Sequence, residues 1–323
     1  MRRARPVAGE GRATGSPVDL RVRAVAKVNL VLRVGPARAD GYHELATLLV
    51  PLSLADEVRV RLRPGDPGPV VCRVPGRPEL AGASNLAARA AEGFRARFGI
   101  ADAVEITIVK RIPVTAGLGG GSSDAAAVLR ALALAYRIGD AAPLSGLALA
   151  VGSDVPFFLG PGPAWGRGRG ELLTPARVPA LDLVLLFPRD PRLAIRAGDA
   201  YRWLDASRQG APPPRLPAPP RGEWRPAMAR NDLQEPAFER HPELRRLQAH
   251  LVGCGASPAI MSGSGPTVFG VFADRAGARR AAREVERIDH EVEVHVVRTL
   301  HRRPGVSPWK SPRYASSRSP RRS

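Results

Sequence analysis

Alternating apolar and polar residues mark the first structural element of the chain. From Leu20 to Val34 the even-numbered positions are apolar, whereas the odd-numbered positions include Arg21, Lys27 and Asn29. A period of two predicts a long half-buried strand, or a bent pair of strands, with the even positions toward the core. The same pattern places Lys27 and Asn29 side by side on the face away from the core.

The remaining elements follow from similar periodicity and from capping and turn residues. An almost wholly apolar helix over 122–136 should be buried in the centre of its domain. The other predicted elements are strands near 43–52 and 57–62, a helix from Ser84, as its cap, to Phe98, a strand over 104–110, a helix from Pro143 to about Val151, irregular segments and short strands over 154–187, a helix around 240–252, a strand–turn–strand over 259–272, a helix over 275–288 and a strand over 291–297.

Strands and helices are mixed without a repeating β–α–β order. This favours an α+β fold in two halves over a doubly wound parallel sheet. A chain of 323 residues can form two domains, each with its own core. We place the first domain at residues 20–175 and the second at 176–298, with a proline-rich surface loop at 206–226.

The charge is concentrated toward the chain ends. The net charge is +19, and residues 298–323 carry eight basic residues and no acidic one. Residues 1–19 and 299–323 are rich in Arg, Ser and Pro without periodicity, so we expect both to be disordered basic tails. Such tails can bind polyanions weakly, and we expect no dedicated nucleic-acid partner.

Other features of the composition favour a cytoplasmic protein. No apolar run is long enough to span a membrane, and the first twenty residues lack the apolar segment of a secretory signal. Cys72 and Cys254 form neither a metal-ligand spacing nor a disulfide framework, so a reducing compartment is the simplest interpretation. We expect no membrane partner.

The most informative motif lies between the strand that ends at Lys110 and the buried helix. A strand, a glycine-rich loop and a helix N-terminus bind phosphate because unpaired N–H groups and the helix dipole face the ligand, and glycine lets oxyanions approach. A flexible linker would explain the glycines but not the serines that follow them. The expected phosphate loop consists of Pro113, Val114, Thr115, Ala116, Gly117, Leu118, Gly119, Gly120, Gly121, Ser122 and Ser123.

Two common nucleotide-binding patterns do not fit this loop. The P-loop ends in Gly-Lys-Ser or Gly-Lys-Thr, whereas this loop has no lysine. The dinucleotide-binding pattern needs a compact β–α–β unit with an acidic residue about 20 positions further on, where this chain has an apolar helix.

The stretch PVTAGLGGGSSDAA, residues 113–126, resembles the phosphate loop of the GHMP kinases, a superfamily of small-molecule kinases without a Walker lysine. Three further stretches resemble members of this superfamily in register: AKVNLVLRVGPARADGYHEL (26–45), GSDVPFFLGPGPAWGRGRGE (152–171) and MSGSGPTVFGVF (261–272). The resemblance implies the two-domain α+β GHMP kinase fold, with a first half like domain 2 of ribosomal protein S5 and a ferredoxin-like second half. It also implies ATP with Mg²⁺, although the sequence itself contains no metal-binding cluster.

The resemblance implies two catalytic residues. Lys27 would lie beside the attacking oxygen and the transferred group, and Asp154 would pair with it as general base. Only three of the 49 basic residues are lysine, which singles out Lys27 further. From the residues alone, Lys27 could be a solvated charge and Asp154 a turn or capping residue. Asp124 is a competing carboxylate, but at the third helical position it would serve the helix dipole.

The resemblance also implies a small-molecule acceptor, a methylerythritol linked to cytidine diphosphate, phosphorylated on its 2-hydroxyl in the non-mevalonate isoprenoid pathway. Asn29, Tyr42, His43 and Tyr201 would bind it, with the tyrosines stacking on cytosine and His43 forming a hydrogen bond. Homoserine or mevalonate as acceptor is the alternative within the superfamily. A polyanion-binding protein on an inactive kinase scaffold is the alternative from another class.

Some further matches and departures bear on the site. Gly263–Gly265 resembles a turn that supports the phosphate loop, Asn231 and Asp232 a substrate-side pair, and Asn85 a residue near adenosine, although plain turns and helix starts also explain them. Arg196 and Ala197 stand where the superfamily member has Ser-Thr, and Thr115 where it has a small residue.

Overall fold

A long hairpin of two strands runs through both halves of the computed structural model, which describes residues 17–138, 141–208, 210–211, 214–220 and 222–308. The hairpin consists of β1 (Val18–Ala37) and β2 (His43–Pro67). The predicted Asp40-Gly41 turn joins them, and Gly41 adopts a φ of +81°, which favours glycine.

The strands form two sheets. The larger has the order β12-β1-β2-β4-β3, with β5 and β6 attached at β2 and β8 beside β1, and the smaller has the order β11-β7-β10-β9. The strands after the hairpin are β3 (Val70–Arg73), β4 (Asp102–Val109), β5 (Ala164–Arg167), β6 (Leu172–Pro175), β7 (Asp182–Pro188), β8 (Arg230–Asn231), β9 (Ala259–Met261), β10 (Val268–Phe272), β11 (Val292–Arg298) and β12 (Val306–Pro308).

The helices cover one sheet in each half. The first four pack on the larger sheet and the last four on the smaller one. They are α1 (Leu86–Phe98), α2 (Gly120–Ala135), α3 (Ala141–Val151), α4 (Val155–Leu159), α5 (Ala197–Ser207), α6 (Gln234–Arg240), α7 (Pro242–Gly253) and α8 (Arg275–Ile288). No helix in the described part of the chain is both long and apolar enough to cross a membrane.

Three apolar clusters form the core. One joins α1–α4 to the larger sheet, one joins α5–α8 to the smaller sheet, and the third lies between the two sheets around Leu30, Leu48 and Phe269. Because the hairpin contributes to all three clusters, its middle lies where the two halves meet.

The single apolar face predicted for β1 is wrong beyond Ala24. The register between β1 and β2 shifts between Val25 and Lys27. Ala24 and Val25 both pack in the first cluster, whereas Ala26 packs between the sheets. The shift turns Lys27 and Asn29 toward the glycine-rich loop, and both are 4% exposed rather than directed away from the core.

The prediction of a disordered tail from residue 299 is wrong for residues 299–308. Thr299 is buried and its backbone N–H donates to Leu181 O at 3.0 Å. Beyond it, β12 pairs with β1, and the Arg303 N–H donates to Pro161 O at 2.9 Å. The sheet edge supplies backbone partners that composition does not reveal. Residues 309–323 and 1–16 lie outside the described residues, while β1 already begins at Val18, inside the predicted first tail.

The predicted domain boundary at residue 175 separates most strands of the two sheets, but β8 and β12 join the larger sheet from beyond it. Within the described residues of the predicted 206–226 loop, 206–207 complete α5 and Trp224 is buried between the sheets.

Candidate active site

The glycine-rich loop enters α2 through left-handed backbone conformations. Gly117 and Gly119 have φ values of +72° and +70°, and Thr115 has +56°. Gly119 is the N-cap of α2, which begins at Gly120, two residues earlier than predicted. The free N–H groups of that helix end, with their positive partial charge, face the region in front of the loop.

A second turn, at residues 262–265, packs directly on this loop. The Ser262 hydroxyl donates to Gly117 O at 3.1 Å. A Cβ on Gly117 would lie 2.2 Å from Ser262 O and 2.9 Å from Gly265 O, so only glycine fits. The turn is held from behind by Asn231, whose amide donates to Met261 O and Gly263 O at 2.8 Å each. Asn231 is thus buried behind the turn and does not line the cavity, and the predicted packing of residues 263–265 against the glycine-rich loop is confirmed.

A chain of hydrogen bonds positions the Lys27 side chain beside the loop. The Lys27 backbone N–H donates to Leu118 O at 2.9 Å. Its ammonium donates to Asn29 Oδ1 at 2.8 Å, and the Asn29 amide donates to Thr47 Oγ1 at 2.8 Å. Thr47 in turn donates to Val31 O. Because each polar group in this chain is paired, the ammonium is held in one place.

Asp154 completes this arrangement from the other side. Its Oδ2 lies 3.7 Å from Lys27 Nζ, and its side chain is 37% exposed, against 5% for Lys27. Asp154 precedes α4 but makes no capping hydrogen bond with it, so the capping interpretation does not hold. Burial of Phe157 and Phe158 anchors α4. The carboxylate therefore stays available to a ligand next to a fixed ammonium.

These side chains open into a cavity of about 570 Å³, a volume typical of small-molecule sites. Of the predicted phosphate-loop residues, Gly117, Gly119 and Ser122 line it. Ala116 and Leu118 are buried between the sheets, and Leu118 reaches the site only through its carbonyl, which accepts the Lys27 N–H. Ser123, predicted as a ligand, is only 2% exposed and lines a different cavity. Pro113, Val114, Thr115, Gly120 and Gly121 belong to the loop but do not line the large cavity.

All four predicted acceptor-binding residues line the same cavity. Tyr201 stacks on His43, with ring centroids 5.1 Å apart and 17° between the planes. Burial raises the pKa of the Tyr201 phenol, so it stays neutral. Tyr42 is 48% exposed, and the Arg169 guanidinium lies over its ring, 4.4 Å from the centroid.

Sequence reasoning missed several residues of this wall, among them Arg169, Arg202 and Asp205. Arg169 covers Tyr42, and Asp205 Oδ1 lies 3.0 Å from His43 Nε2. Asp205 follows Tyr201 by four positions on α5, a spacing that places both on one helix face and could have revealed it. No comparable signal marks Arg169.

A buried charge cluster behind the loop was also missed. The Lys110 ammonium donates to Asp56 Oδ2 at 2.5 Å and to Asp124 Oδ2 at 2.8 Å. Asp56 Oδ1 accepts from the backbone N–H groups of Arg111 and Ile112. Burial raises the pKa of Asp124 to about 8, against the opposing effect of Lys110. Asp124 is the fifth residue of α2, not the third as predicted, and its ion pair with Lys110 anchors the start of this helix. Its carboxylate does not line the cavity and does not act there as a base.

The start of α1 differs from prediction in its capping residue. Asn85, not Ser84, is the N-cap, because its Oδ1 accepts from the Ala87 N–H at 2.8 Å. The Asn85 amide donates to Leu80 O at 2.7 Å. Both the oxygen and the nitrogen of the Asn85 side chain are therefore hydrogen-bonded to the backbone of its own fold.

Comparisons with known proteins bear on this site. Residues 85–162 match the family profile "GHMP kinases N terminal domain", and residues 219–289 match "GHMP kinases C terminal". A 4-diphosphocytidyl-2-C-methyl-D-erythritol kinase of Anaeromyxobacter dehalogenans is 64% identical over 306 residues, 93% of this chain and 97% of the relative. A protein of the same name from Deinococcus radiodurans is 40% identical over 277 residues, 83% of this chain and 89% of that one.

Solved structures agree with these matches. A crystal structure of 4-(cytidine 5'-diphospho)-2C-methyl-D-erythritol kinase superposes with a TM-score of 0.67 and 36% identity, covering 86% of this chain and 98% of the other. A homoserine kinase from Cytophaga hutchinsonii superposes with a TM-score of 0.66 and 17% identity, covering 92% and 98%. The second likeness concerns the fold alone.

Proposed function

Because this chain belongs to the GHMP kinases, and among them to the 4-diphosphocytidyl-2-C-methyl-D-erythritol kinases, we propose that it transfers the γ-phosphoryl group of ATP to the 2-hydroxyl of 4-diphosphocytidyl-2-C-methyl-D-erythritol. The reaction belongs to the non-mevalonate route to isoprenoid precursors. One observation supports this activity most: Lys27 Nζ and Asp154 Oδ2 lie 3.7 Å apart, at the cavity that the glycine-rich loop borders.

Phosphoryl transfer to an alcohol needs the phosphates held in line, their charge neutralised and the hydroxyl proton accepted. The N-terminus of α2 and the bare backbone at Gly117 and Gly119 are suited to the first task. The Lys27 ammonium, fixed by Asn29, is suited to the second. Asp154 is the proposed general base, since its carboxylate reaches the cavity beside the Lys27 ammonium.

Magnesium fits this site if the nucleotide supplies most of its ligands. Among the described residues no group of three or more His, Cys, Asp or Glu is arranged to hold a metal ion. Mg²⁺ commonly binds through substrate phosphates, water and one or two carboxylates. Asp154, with its exposed carboxylate, and the Ser122 hydroxyl are the groups that would contact it. When bound, the ion would neutralise charge on the phosphates.

The far wall of the cavity is proposed to bind the cytidine diphosphate part of the acceptor. Tyr42 offers an exposed ring, and Tyr201 and His43 form a stacked pair beside it. Base stacking on aromatic rings contributes about 1–3 kcal/mol per base. Arg169 and Arg202 also line the cavity and are suited to the diphosphate charge. This wall supports a nucleotide-linked acceptor over homoserine or mevalonate, and we propose that the reaction takes place in the cytoplasm.

An ATP-consumption assay with purified full-length protein tests the proposal. The cytidylated methylerythritol, homoserine and mevalonate would be compared at equal concentration with Mg²⁺ present. We expect turnover with the cytidylated alcohol alone and a new phosphate monoester in the phosphorus NMR spectrum of the product. Preference for homoserine or mevalonate would overturn the acceptor while leaving the kinase activity standing.

A further inference from the structure

A second cavity, separate from the acceptor cavity, lies against the first turn of α2. Its volume is about 10 Å³, which is room for one particle the size of a water molecule. Ser123 contributes to it from α2, and Phe157 and Phe158 contribute from α4. Arg130 and Arg303 complete the wall, with Arg23 at the exposed rim. The cavity thus contacts the helix that follows the phosphate loop and the one that follows Asp154.

The charge around this cavity is uncompensated. Three guanidinium groups line it, and no lining residue is acidic. Among the residues that the structure describes, no carboxylate lies within 4.0 Å of any of the three. By contrast, Arg59 and Arg298 elsewhere on the surface each have an aspartate partner.

The hydrogen bonds of these arginines do not replace a counter-ion. Arg130 Nη2 donates to Pro304 O, Arg303 Nε donates to Gly160 O at 2.6 Å, and Arg23 Nη2 donates to Ser53 O at 3.0 Å. Each of these acceptors is a neutral carbonyl. A guanidinium has five N–H donors, so several on each side chain remain for a ligand.

Burial makes the missing negative charge costly. Loss of water around Arg130, and the nearby charge of Arg303, lower the pKa of Arg130 to about 10. Burial also lowers the pKa of Arg303. An arginine whose pKa is about 10 is protonated at neutral pH, so like charges meet at a partly buried space between α2 and the segment before β12. Arg130 and Arg303 also line a wider, more open cavity of about 410 Å³ on their other side. Buried charges are stable in proteins when an opposite charge accompanies them.

We propose that this cavity binds one small monovalent inorganic anion of the size of chloride. The anion accepts hydrogen bonds from Arg130 and Arg303 and neutralises part of their charge. The small cavity has no room for a phosphate, a sulfate or a carboxylate side chain, which could reach Arg130 and Arg303 only from the wider cavity of about 410 Å³ beside it. Since Arg303 belongs to the segment before β12, the anion also fastens residues 299–308 to α2 and α4. This site is independent of the proposed kinase activity.

Thermal unfolding of the full chain tests the proposal. Unfolding midpoints would be measured in sodium chloride and in sodium gluconate at equal ionic strength, since gluconate is too bulky to enter. Saturable binding to the folded state raises the midpoint in chloride, by about 5 °C at 100-fold excess over the dissociation constant. Arg130→Met and Arg303→Met should abolish the difference between the two salts. Arg246→Met, which removes an exposed arginine on α7 in the other half of the molecule, should keep it.

A second measurement does not depend on how the variants fold. Crystals of the unmodified protein grown in sodium bromide should show an anomalous peak between Arg130 and Arg303. No peak there, or equal midpoints for the wild type in chloride and gluconate, would overturn the proposal. So would an undiminished chloride effect in Arg130→Met.

Discussion

Replacement of Gly117 by alanine tests how closely the phosphate loop depends on the turn behind it. The added Cβ would lie 2.2 Å from Ser262 O and 2.9 Å from Gly265 O, distances that no real Cβ tolerates. Gly117 also has a φ of +72°, where a side chain costs about 1–2 kcal/mol. The turn must move away, and the hydrogen bond from Ser262 Oγ to Gly117 O, about 1 kcal/mol net, is lost.

These contributions add to a loss of about 2–3 kcal/mol of unfolding free energy, which lowers the thermal midpoint by roughly 4–6 °C for a chain of this length. Activity should fall as well, because a Cβ on Gly263 in the same turn would lie only 3.2 Å from Lys27 Nζ, so movement of the turn disturbs the ammonium. Differential scanning calorimetry measures the midpoint, and the ATP-consumption assay measures the activity.

Gly121→Ala is the matched control in the same loop. Its added Cβ would meet Leu86 Cδ1 at 3.5 Å, an ordinary contact, and its φ is not positive. Within α2 the change should be neutral or stabilise the fold by about 0.5–1 kcal/mol. Equal midpoints for Gly117→Ala and Gly121→Ala would refute this reasoning.

Three further predictions concern charge and the chain terminus. The pKa of Asp124 in the folded state is raised to about 8, above its value of about 4 in the unfolded chain. The contribution of this group to stability should therefore fall as the pH rises from about 4 through 8. In a pH series of thermal midpoints, Asp124→Asn should show a shallower fall than the wild type. Asp205→Asn should raise KM for the cytidylated acceptor about threefold to tenfold with little change in kcat, because the Asp205 carboxylate contacts His43 and not the phosphates. A change in kcat alone would contradict this. Removal of residues 309–323 should leave activity intact and reduce any salt-dependent binding to nucleic acid, whereas removal from 299 onward should also lower the thermal midpoint, because 299–308 are packed on the fold.

Much of the fold is readable from the sequence where local signals agree. The helix predicted over 275–288 is confirmed with the same first and last residues. Its start is fixed locally, because the Asp274 side chain caps it by accepting from the Gly277 N–H at 2.7 Å. The buried helix α2, the strand–turn–strand over 259–272 and the two-domain GHMP kinase fold are likewise confirmed.

What the sequence did not reveal depends on residues far apart in the chain. The strands predicted near 43–52 and 57–62 are one continuous β2, because β1 pairs along its whole length despite register shifts. Those shifts turn Lys27 inward, which an uninterrupted period of two cannot indicate. Lys110 pairs with Asp56 and Asp124, which lie 54 and 14 positions away in the sequence. The arginine-lined cavity likewise brings α2 next to the C-terminal segment. Three-dimensional packing alone brings such groups together.

A single-turnover assay of Lys27→Met tests the central claim most directly. With ATP and the cytidylated acceptor both saturating, removal of the ammonium beside Asp154 should slow phosphoryl transfer by about 10²–10⁴-fold. The thermal midpoint should stay near that of the wild type, and Arg33→Met on the same strand should transfer at the wild-type rate. A Lys27→Met rate within about tenfold of the wild type would contradict the account.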